Sequence, residues 1–401
     1  MRTHPFIPFH VPSMGDEEVR EVEATIRSGW LTSGPRTAQF EKEFGAYVSS
    51  PHAIAVNSCT AGLHVAFAAL GIGKGDEVIT TPLTFCSTVH TILQVGARPV
   101  LADVGADGNI DPEAIALAIT PRTRAIVPVH YAGLPCEMNA IWKLARKHGL
   151  FVIEDAAHAA GARYEGRPIG SAPAEGPGDA SDAVAFSFYA TNNMTTGEGG
   201  MITTPRESLA ARMRMLSLHG MNRDAWSRYS RRGNWYYEVV DTGFKYNLTD
   251  IQSAIGIPQL RKLDSFIETR ARYAQIYNQA LGGMEEVELP PDGPRVRHAW
   301  HLYVLRLNLD LLKIDRHEFI EQLRRKGVAA SVHFLPVPLH PFFAKLPLAE
   351  RPCRHALKLY PRIVSLPLYP AMTEKQVRYV AACVTEIVVS NRIRTRLTEA
   401  S

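Results

Sequence analysis

An acidic residue and a histidine follow one of the short apolar segments of this chain, within the sequence EDAAHA (residues 154–159). A carboxylate such as Asp155 at the end of a strand can pair with a protonated pyridine nitrogen and keep a bound ring an electron sink. His158 follows Asp155 closely, so its ring could approach an oxygen substituent of the same heterocycle. The alternative is structural, with Asp155 capping the next helix and His158 a hydrogen-bonded core histidine.

Two hydroxyl-bearing turns offer binding positions for a phosphate. The segment SCTAG (residues 58–62) joins a short apolar strand to a helix, and free backbone N–H groups at a helix start attract an anion. Ser187 directly follows the apolar segment 183–186, so its hydroxyl could reach the same phosphate. Each feature has an ordinary alternative, which is a helix cap without a ligand for the first and a turn hydrogen bond for Ser187.

One aromatic residue and two further patterns complete the set of candidate binding features. Phe85 follows a predicted strand and could stack on a planar ring, although a single phenylalanine is more often part of the core. The glycine-rich segment GIGKG (residues 71–75) follows a helix instead of opening one, which indicates a helix-ending turn and not a nucleotide loop. The 15 histidines show no HxxxH or HExxH spacing, so we predict no metal site.

Short, uniformly apolar segments alternate with helical stretches through the first part of the chain. The segments are residues 53–56, 78–80, 99–101, 125–129, 151–154 and 183–186. This alternation predicts an α/β fold with a mainly parallel sheet and helices on both faces, whose ligands bind at the carboxyl ends of the strands. The pattern changes near Pro258, and a long helix is expected from Gln259 towards Leu281. We therefore predict a large domain over residues 1–258 and a smaller α+β domain over residues 259–401.

The composition predicts a globular protein without nucleic-acid or membrane partners. A length of 401 residues allows two lobes with sizeable cores, and contents of 46% hydrophobic and 21% charged residues are ordinary. The formal net charge of +4 is too weak to indicate nucleic-acid binding, and no apolar run approaches the roughly 20 residues of a membrane span. The 5 scattered cysteines are typical of a reduced compartment, so we expect a cytoplasmic protein.

Several longer stretches of the sequence resemble those of one protein family. They are FSFYATNNMTTGEGG (residues 186–200), SGWLTSGP (28–35), PVHYAG (128–133), GFKYNLTDI (243–251) and HAWHL (298–302). In order and spacing, and over nearly the whole chain, these stretches and EDAAHA are similar to the DegT/DnrJ/EryC1/StrS family of pyridoxal 5'-phosphate (PLP) sugar aminotransferases. The resemblance implies fold type I of the PLP enzymes, the aspartate aminotransferase type, with a homodimer as the working unit.

The same resemblance implies roles for single residues. Those implied to hold the cofactor are Thr60, Ala61 and Ser187 at the phosphate, Phe85 on the ring face, Asp155 at the ring nitrogen and His158 near the ring oxygen. Asn247 is implied to reach the phosphate from the neighbouring subunit, so that the active sites of the homodimer are shared. His333 would line the sugar-nucleotide cleft and Arg231 could meet the diphosphate, with a structural histidine and a solvated charge as the respective alternatives.

Asn192 stands where this family normally carries the lysine that forms an imine with PLP. An amide cannot form that imine, and without a titratable group it cannot act as a general base near neutral pH. With lysine in place, the resemblance implies conversion of a nucleotide-linked 4-keto sugar to the 4-amino sugar, with glutamate as the donor. With Asn192, we expect PLP or pyridoxamine 5'-phosphate (PMP) to be held non-covalently. We also expect the protein to be inactive, or trapped before the reaction is complete.

Two other functions stay open on the sequence. One is a non-catalytic paralogue that binds sugar nucleotides, or a partner that lends Asn247 to an active subunit. The other is a PMP-dependent, dehydratase-like enzyme that uses another base, His158 or His219. The loop at residues 171–182 looks longer than in the family members that aminate a UDP-linked 4-keto pentose, to which the similarity is greatest. The identity of the sugar therefore stays open.

Overall fold

A sheet of seven strands forms the centre of the structure. The structure is a computed structural model that describes residues 6–173, 180–222, 236–348 and 352–393. Within these residues the strands are, in chain order, β1 (His52–Val56), β2 (Glu77–Thr80), β3 (Arg98–Leu101), β4 (Thr123–Val127), β5 (Phe151–Asp155), β6 (Arg163–Tyr164), β7 (Arg167–Pro168), β8 (Ala183–Ser187), β9 (Gly200–Thr204), β10 (Val287–Glu288), β11 (Val296–Arg297), β12 (Tyr303–Leu307) and β13 (Ile363–Leu366). The α-helices of the same residues are α1 (Asp16–Ser28), α2 (Pro35–Val48), α3 (Cys59–Ala69), α4 (Cys86–Gln94), α5 (Pro112–Ala118), α6 (Met138–His148), α7 (Glu207–Ser217), α8 (Asp250–Leu281), α9 (Arg316–Arg325), α10 (Arg354–Leu359) and α11 (Glu374–Asn391).

The strand order in the main sheet is β1-β9-β8-β5-β4-β2-β3. Strands β3, β2, β4, β5 and β8 are parallel to their neighbours in that series, whereas β9 runs antiparallel to both β8 and β1. The predicted α/β fold with a mainly parallel sheet is confirmed. Because β5 and β8 are adjacent, Asp155 pairs in register with Ala185, and Ser187 ends the neighbouring strand close to it.

Helices cover both faces of this sheet because alternate residues of each strand point to opposite sides. On β5, Val152 belongs to one buried apolar cluster and Ile153 to another, and β8 shows the same alternation at Val184 and Ala185. The first cluster contains residues of α2, α6 and α8, and the second contains residues of α3 and α7. Burial on both faces is the reason that these strands are apolar without interruption.

Helix α8 runs from the main sheet into the C-terminal part of the chain. It begins at Asp250 because Thr249 and Gln252 form a reciprocal capping box, so the start predicted at Gln259 is wrong. Pro258 lies inside the helix, where its ring removes one N–H donor without ending the helix. The predicted boundary after Pro258 therefore falls within a continuous helix, and the division into two domains stays a prediction.

A second sheet, β10-β12-β13, has three antiparallel strands and lies in the C-terminal part of the chain. Helices α9 and α11 and the end of α8 bury apolar side chains with it, since Phe319, Val384 and Tyr277 share one cluster with Leu305. Ile7, from the beginning of the chain, belongs to the same cluster. The N-terminal segment is thereby fixed against this layer, which brings the residues just after Ile7 towards the carboxyl edge of the main sheet.

Candidate active site

The carboxylate of Asp155 is buried at the end of β5 and is surrounded by hydrogen-bond donors. Thr88 Oγ1 donates to Oδ2 at 2.7 Å, the Ala157 N–H donates to Oδ1 at 3.1 Å, and Cys59 Sγ lies 3.8 Å from Oδ1. Burial raises the pKa of Asp155 above its usual value, whereas the bonds from Thr88 and Ala157 favour the ionised form and oppose that shift. The hydrogen bond from the Ala157 N–H is of the local kind that the structural alternative for Asp155 predicts. The hydrogen bond from Thr88, which is 67 residues away in the sequence, is not part of such a cap.

His158 lies in a group of aromatic and imidazole rings next to this carboxylate, in which His301 is buried and the His158 and Phe334 residues are partly exposed. Its ring stacks on His301 at a centroid distance of 4.1 Å and on Phe334 at 5.7 Å. Burial, with a smaller effect of His333, lowers the pKa of His158 to about 3, so the ring is neutral at physiological pH. Its Nδ1 atom is buried and has no hydrogen-bond partner among the described residues. The structural alternative of a hydrogen-bonded core histidine therefore does not account for this atom.

His301 was not predicted from the sequence as a site residue, although it lies in the quoted stretch HAWHL. Asn193 Nδ2 donates to the Ala299 carbonyl at 2.6 Å, which leaves Asn193 Oδ1 facing His301 Nδ1 at 3.1 Å. Because an amide oxygen can only accept, the His301 ring carries its proton on Nδ1 and leaves Nε2 unprotonated. Thr88 was also not predicted as a site residue. The sequence shows only that a polar residue stands in the first turn of the helix that follows Phe85.

Ser58 caps the start of α3. Ser58 Oγ accepts a hydrogen bond from the Ala61 N–H at 3.1 Å, and the Gly62 N–H donates to the Ser58 carbonyl at 3.0 Å. The turn lies directly against β9, since a Cβ atom on Gly200 would be 2.6 Å from the Ser58 carbonyl carbon. Glycine at position 200 therefore allows the N-terminus of α3, with Thr60, to approach the carboxyl edge of the sheet.

Ser187 and Phe85 lie at the same edge of the sheet and differ in what holds them. Ser187 Oγ accepts a hydrogen bond from the Tyr189 N–H at 3.3 Å, which is the turn hydrogen bond considered as its alternative. The Phe85 side chain is 59% exposed, so the alternative of a core phenylalanine is wrong. Its nearest described aromatic neighbour is Phe334, at a centroid distance of 6.2 Å. Phe85 therefore presents an uncovered ring face close to the His158 ring group.

Asn192 lies in the loop between β8 and β9 and is 9% exposed. Its backbone N–H donates to the Tyr189 carbonyl at 2.9 Å, whereas no hydrogen bond joins its side chain to another described residue. The next residue, Asn193, is the one that binds His301, so the loop is tied to the His158 ring group through this neighbour. The structure thus brings Asn192 to the edge of the sheet at which Asp155 and His158 lie.

The remaining predicted site residues are more dispersed. His333 is partly buried near the ring group, with its Nδ1 2.9 Å from Ser365 Oγ, and desolvation lowers its pKa to about 4. Asn247 lies beside Val56 at the edge of β1, where its Nδ2 donates to Ser33 Oγ at 2.7 Å. The structure therefore does not bring Asn247 into the Asp155 group of its own chain. Arg231 lies outside the described residues.

Neither a cluster of metal-binding side chains nor a membrane-spanning helix occurs in the described ranges. Among residues 6–173, 180–222, 236–348 and 352–393, no group of three or more histidine, cysteine, aspartate or glutamate side chains is arranged to hold a metal ion. None of the helices in the same residues combines the length and the apolar character needed to cross a membrane.

The buried neutral histidines make the stability of the protein depend on pH. Burial lowers the pKa of His158 and of His298 from 6.5 to about 3. The unfolded chain therefore binds more protons than the folded chain between these values, and stability is fully present above pH 6.5 and lost as the pH falls towards 3. We expect each of the two residues to reduce the free energy of unfolding by about 2 kcal/mol between pH 7 and pH 5.

Urea unfolding at pH 7 and pH 5 measures this effect. His298→Gln keeps an acceptor for the Trp300 N–H, which now donates to His298 Nδ1 at 2.8 Å, and removes one titrating ring. That variant should lose less stability on acidification than the parent chain. Equal unfolding free energies of the parent chain at the two pH values would contradict the assignment of neutral, buried histidines.

The DegT/DnrJ/EryC1/StrS aminotransferase family matches residues 12–385 of the chain. The protein belongs to this family of PLP-dependent aminotransferases. A relative from Bacillus subtilis, the spore coat polysaccharide biosynthesis protein SpsC, is 48% identical over 390 residues, which cover 96% of this chain and 98% of SpsC.

Solved structures show the same similarity in three dimensions. Spr1654 of Streptococcus pneumoniae, solved in PLP and PMP forms, has a TM-score of 0.88 at 29% identity, covering 96% of this chain and 99% of that chain. Helicobacter pylori PseC, an aminotransferase involved in the biosynthesis of pseudoaminic acid, has a TM-score of 0.88 at 28% identity, covering 96% of this chain and 100% of that chain. The expected fold type I architecture and the expected PLP cofactor class are thereby confirmed.

Proposed function

We propose that the chain is a nucleotide-sugar aminotransferase scaffold that converts a nucleotide-linked 4-keto sugar to the 4-amino sugar, with glutamate as the donor. We further propose that the protein with Asn192 is inactive or trapped. The observation that carries this proposal is an intact carboxylate and ring group, Asp155, Thr88, His158 and Phe85, beside a residue that has neither an amine nor a titratable group.

The residues present fit PLP or PMP. Asp155 is a buried carboxylate held by three donors and able to pair with a ring nitrogen, and Phe85 has an uncovered ring face. His158 Nδ1 is a buried polar atom without a hydrogen-bond partner in the described part of the chain, which suits a hydrogen bond to an oxygen on the ring. We assign the phosphate to the N-terminus of α3 at Thr60 and Ala61, together with Ser187, because a helix start favours an anion.

PLP, when bound, supplies the electron sink that makes amino-group transfer feasible. Asp155 would keep the ring nitrogen protonated, and Thr88 would hold Asp155 in place and ionised. His158 is neutral and can exchange a hydrogen bond with the ring oxygen without a change of charge. Asn192 cannot carry a proton between the reacting atoms, so the chain lacks the group that would move it.

The proposed substrate is a nucleotide sugar because two similar proteins act in carbohydrate biosynthesis, as their names state. We assign His333 to the cleft for the sugar nucleotide, since it lies beside Phe334 and close to the ring group. Arg231 is proposed to meet the diphosphate. A UDP-linked 4-keto pentose is the first substrate to test, because the stretches quoted from the sequence resemble family members that aminate such a sugar.

We also propose that the working unit is a homodimer in which Asn247 of one subunit reaches the phosphate site of the other. Supporting this, Asn247 lies away from the Asp155 group of its own chain. Large apolar side chains are exposed on the single chain, among them Val19 at 65% and Val239 at 63%. Exposed apolar surface of this kind is typical of a protein–protein interface.

The proposed function is tested with the Asn192→Lys variant, PLP, glutamate and a panel of nucleotide-linked 4-keto sugars. We expect formation of an amino sugar nucleotide, detected by mass spectrometry, together with 2-oxoglutarate in equal amounts. A variant that binds PLP covalently but aminates no member of the panel would refute the 4-keto sugar assignment. A variant that binds no PLP would refute the whole proposal.

Removing the Phe85 ring should weaken cofactor binding and leave the fold intact. The side chain is 59% exposed, so Phe85→Ala should change the free energy of unfolding of the chain without cofactor by less than about 0.5 kcal/mol. Loss of stacking on the ring should weaken PMP binding roughly tenfold. Phe342→Ala is the matched control, because Phe342 is 57% exposed and lies outside the proposed site. Equal PMP affinities in the two variants, measured by calorimetry, would contradict the role of Phe85.

A non-catalytic paralogue that binds sugar nucleotides is the second candidate function, and the amide at position 192 is the observation that favours it. It predicts ligand binding without any gain of activity from Asn192→Lys. A dehydratase-like reaction has less support, since His219 is exposed and follows α7, away from the ring group. His158 is the remaining base for such a reaction, and its pKa of about 3 makes it a weak one.

A further inference from the structure

Two buried threonines lie between the turn that presents Phe85 and the carboxylate of Asp155. Thr84 directly precedes Phe85 and is 2% exposed, and Thr88, in the first turn of α4, is 0% exposed. The hydroxyl oxygens of the two threonines lie 2.8 Å apart. Thr88 Oγ1 in turn lies 2.7 Å from Asp155 Oδ2. The three side chains therefore form a continuous row of hydrogen-bonded oxygen atoms, which we call the threonine relay.

The direction of the hydrogen bonds in the threonine relay follows from the protons that each group carries. An ionised carboxylate can only accept, so Thr88 donates its single hydroxyl proton to Asp155 Oδ2. Thr88 Oγ1 can then only accept from the other threonine, which makes Thr84 the donor of the 2.8 Å bond. The Phe85 carbonyl oxygen, 3.3 Å from Thr88 Oγ1, competes weakly for the same proton because it lies farther away.

Thr84 strengthens the hydrogen bond that Thr88 donates to Asp155. By donating to Thr88 Oγ1 it polarises the Thr88 O–H group, because successive hydrogen bonds in a low-dielectric interior reinforce one another. Burial raises the pKa of Asp155, and the hydrogen bond from Thr88 opposes that shift by stabilising the charged form of the carboxyl. A polarised Thr88 hydroxyl opposes the shift more strongly, so the Thr84 hydroxyl favours an ionised Asp155.

Cys59 and His130 are two further titratable residues packed near the same carboxylate. Cys59 Sγ lies 3.8 Å from Asp155 Oδ1, and burial raises the pKa of the thiol well above its usual value. His130 accepts the Cys136 N–H on Nδ1 at 3.1 Å, so its ring carries a proton on Nε2. That proton points to Glu154 Oε2 at 2.7 Å. Neither residue brings a positive charge to Asp155 in this arrangement, which leaves hydrogen bonds to stabilise its negative charge.

We propose that Thr84 is a positioning residue of the cofactor site, which acts through Thr88 to hold Asp155 in the ionised form that pairs with the ring nitrogen of PLP or PMP. The inference rests on the proposed function, which places Asp155 at that nitrogen, and it adds a residue that acts only through others. Because Thr84 directly precedes Phe85, one turn of the chain supports both the ring-stacking residue and the ring-nitrogen carboxylate.

The test is a titration of Asp155 in the full chain without cofactor. It is followed by NMR of aspartates that carry an isotope label on the carboxyl carbon, with Asp155→Asn to assign the signal. Thr84→Val keeps the shape of the side chain and removes the hydroxyl, so it should raise the titration midpoint of Asp155 by about 0.5 pH unit. Thr84→Ser keeps the hydroxyl and should restore the midpoint of the parent chain.

Thr91→Val is the matched control for the loss of a buried hydroxyl from α4. Thr91 is 0% exposed, and its Oγ1 lies 2.9 Å from the Ser87 carbonyl oxygen and 3.1 Å from the Thr88 carbonyl oxygen, so it donates to the helix backbone and not to the carboxylate. Its substitution should leave the midpoint of Asp155 unchanged. A midpoint in Thr84→Val equal to that of the parent, or an equal rise in Thr84→Ser, would overturn the proposal.

A neutron structure of the parent chain tests the direction of the hydrogen bonds without any substitution. We expect the hydroxyl hydrogen of Thr84 to point to Thr88 Oγ1, and that of Thr88 to point to Asp155 Oδ2. A Thr88 hydrogen directed at the Phe85 carbonyl oxygen would overturn the threonine relay.

The affinity for PMP, measured by calorimetry over a range of pH, separates this proposal from the proposed function. Only the ionised carboxylate can pair with a protonated ring nitrogen, so Thr84→Val should weaken PMP binding about threefold on the acidic side of the profile, where Asp155 is partly neutral. Thr91→Val should not change the profile. A raised midpoint in Thr84→Val with an unchanged PMP profile would overturn the role of Thr84 and leave the proposed function intact. An affinity that Asp155→Asn does not reduce would refute the pairing of Asp155 with the ring, and the proposed function with it.

Discussion

The Asn192→Lys variant is expected to transaminate at least roughly 10³-fold faster than the parent chain. Lysine supplies both the amine that attaches PLP covalently and the base that moves a proton between the reacting atoms, and Asn192 supplies neither. The rest of the proposed cofactor site is compatible with this substitution, because Asp155 accepts hydrogen bonds from three donors and the Phe85 ring has an uncovered face.

Single-turnover rates with glutamate and PLP measure the gain, and the mass of the chain after borohydride treatment shows whether PLP has become covalently attached. Asn193→Lys is the matched control one position further along the loop. Asn193 is committed to Ala299 and His301, so lysine there should break those bonds without creating activity. If Asn192→Lys attaches PLP but gains less than tenfold in rate, another group besides the lysine is missing.

In the Asn192→Lys background, Asp155→Asn is expected to lower kcat/KM by at least roughly 10²-fold. An amide cannot stabilise a positive charge on a ring nitrogen as a carboxylate does. It also presents at most one acceptor oxygen to donors that now bind both oxygens, namely Thr88 Oγ1 at 2.7 Å and the Ala157 N–H at 3.1 Å. Leaving one of these buried donors unpaired costs about 1–3 kcal/mol, so PLP affinity and stability should both fall.

Thr88→Val provides a graded comparison with Asp155→Asn. Valine has nearly the shape of threonine and removes one hydrogen bond to the carboxylate, so the pKa of Asp155 should rise further above its usual value. The pH profile of kcat/KM should accordingly shift upwards on its acidic side, with a smaller loss of rate than in Asp155→Asn. Thr88→Ser keeps the hydroxyl and should restore the parent profile. An Asp155→Asn variant with undiminished kcat/KM would exclude the carboxylate from the reaction.

Some of this architecture could be predicted from the sequence because the signals are local. Strands buried on both faces must be apolar throughout, which is why six of the seven strands of the main sheet were predicted with small errors at their ends. The seventh strand, β9, was not predicted. Residues 138–148 contain no proline or glycine, which predicts an uninterrupted helix, and α6 has these bounds. The start of α8 was misjudged because Pro258 is locally a breaker, although tertiary packing of Ile257 and Leu260 keeps the helix continuous.

The sequence alone determined that position 192 carries asparagine and not lysine, and it indicated the family to which the chain belongs. Both conclusions depend only on residue identity and spacing. Only the tertiary structure decided which side chains meet. Thr88 and Asp155 are separated by 67 residues, and His158 and His301 come from different parts of the chain. Whether Phe85 is exposed is likewise a property of packing. Hydrogen bonds, ring stacking and burial depend on distances in space, and these distances are set when the helices and the sheets pack together.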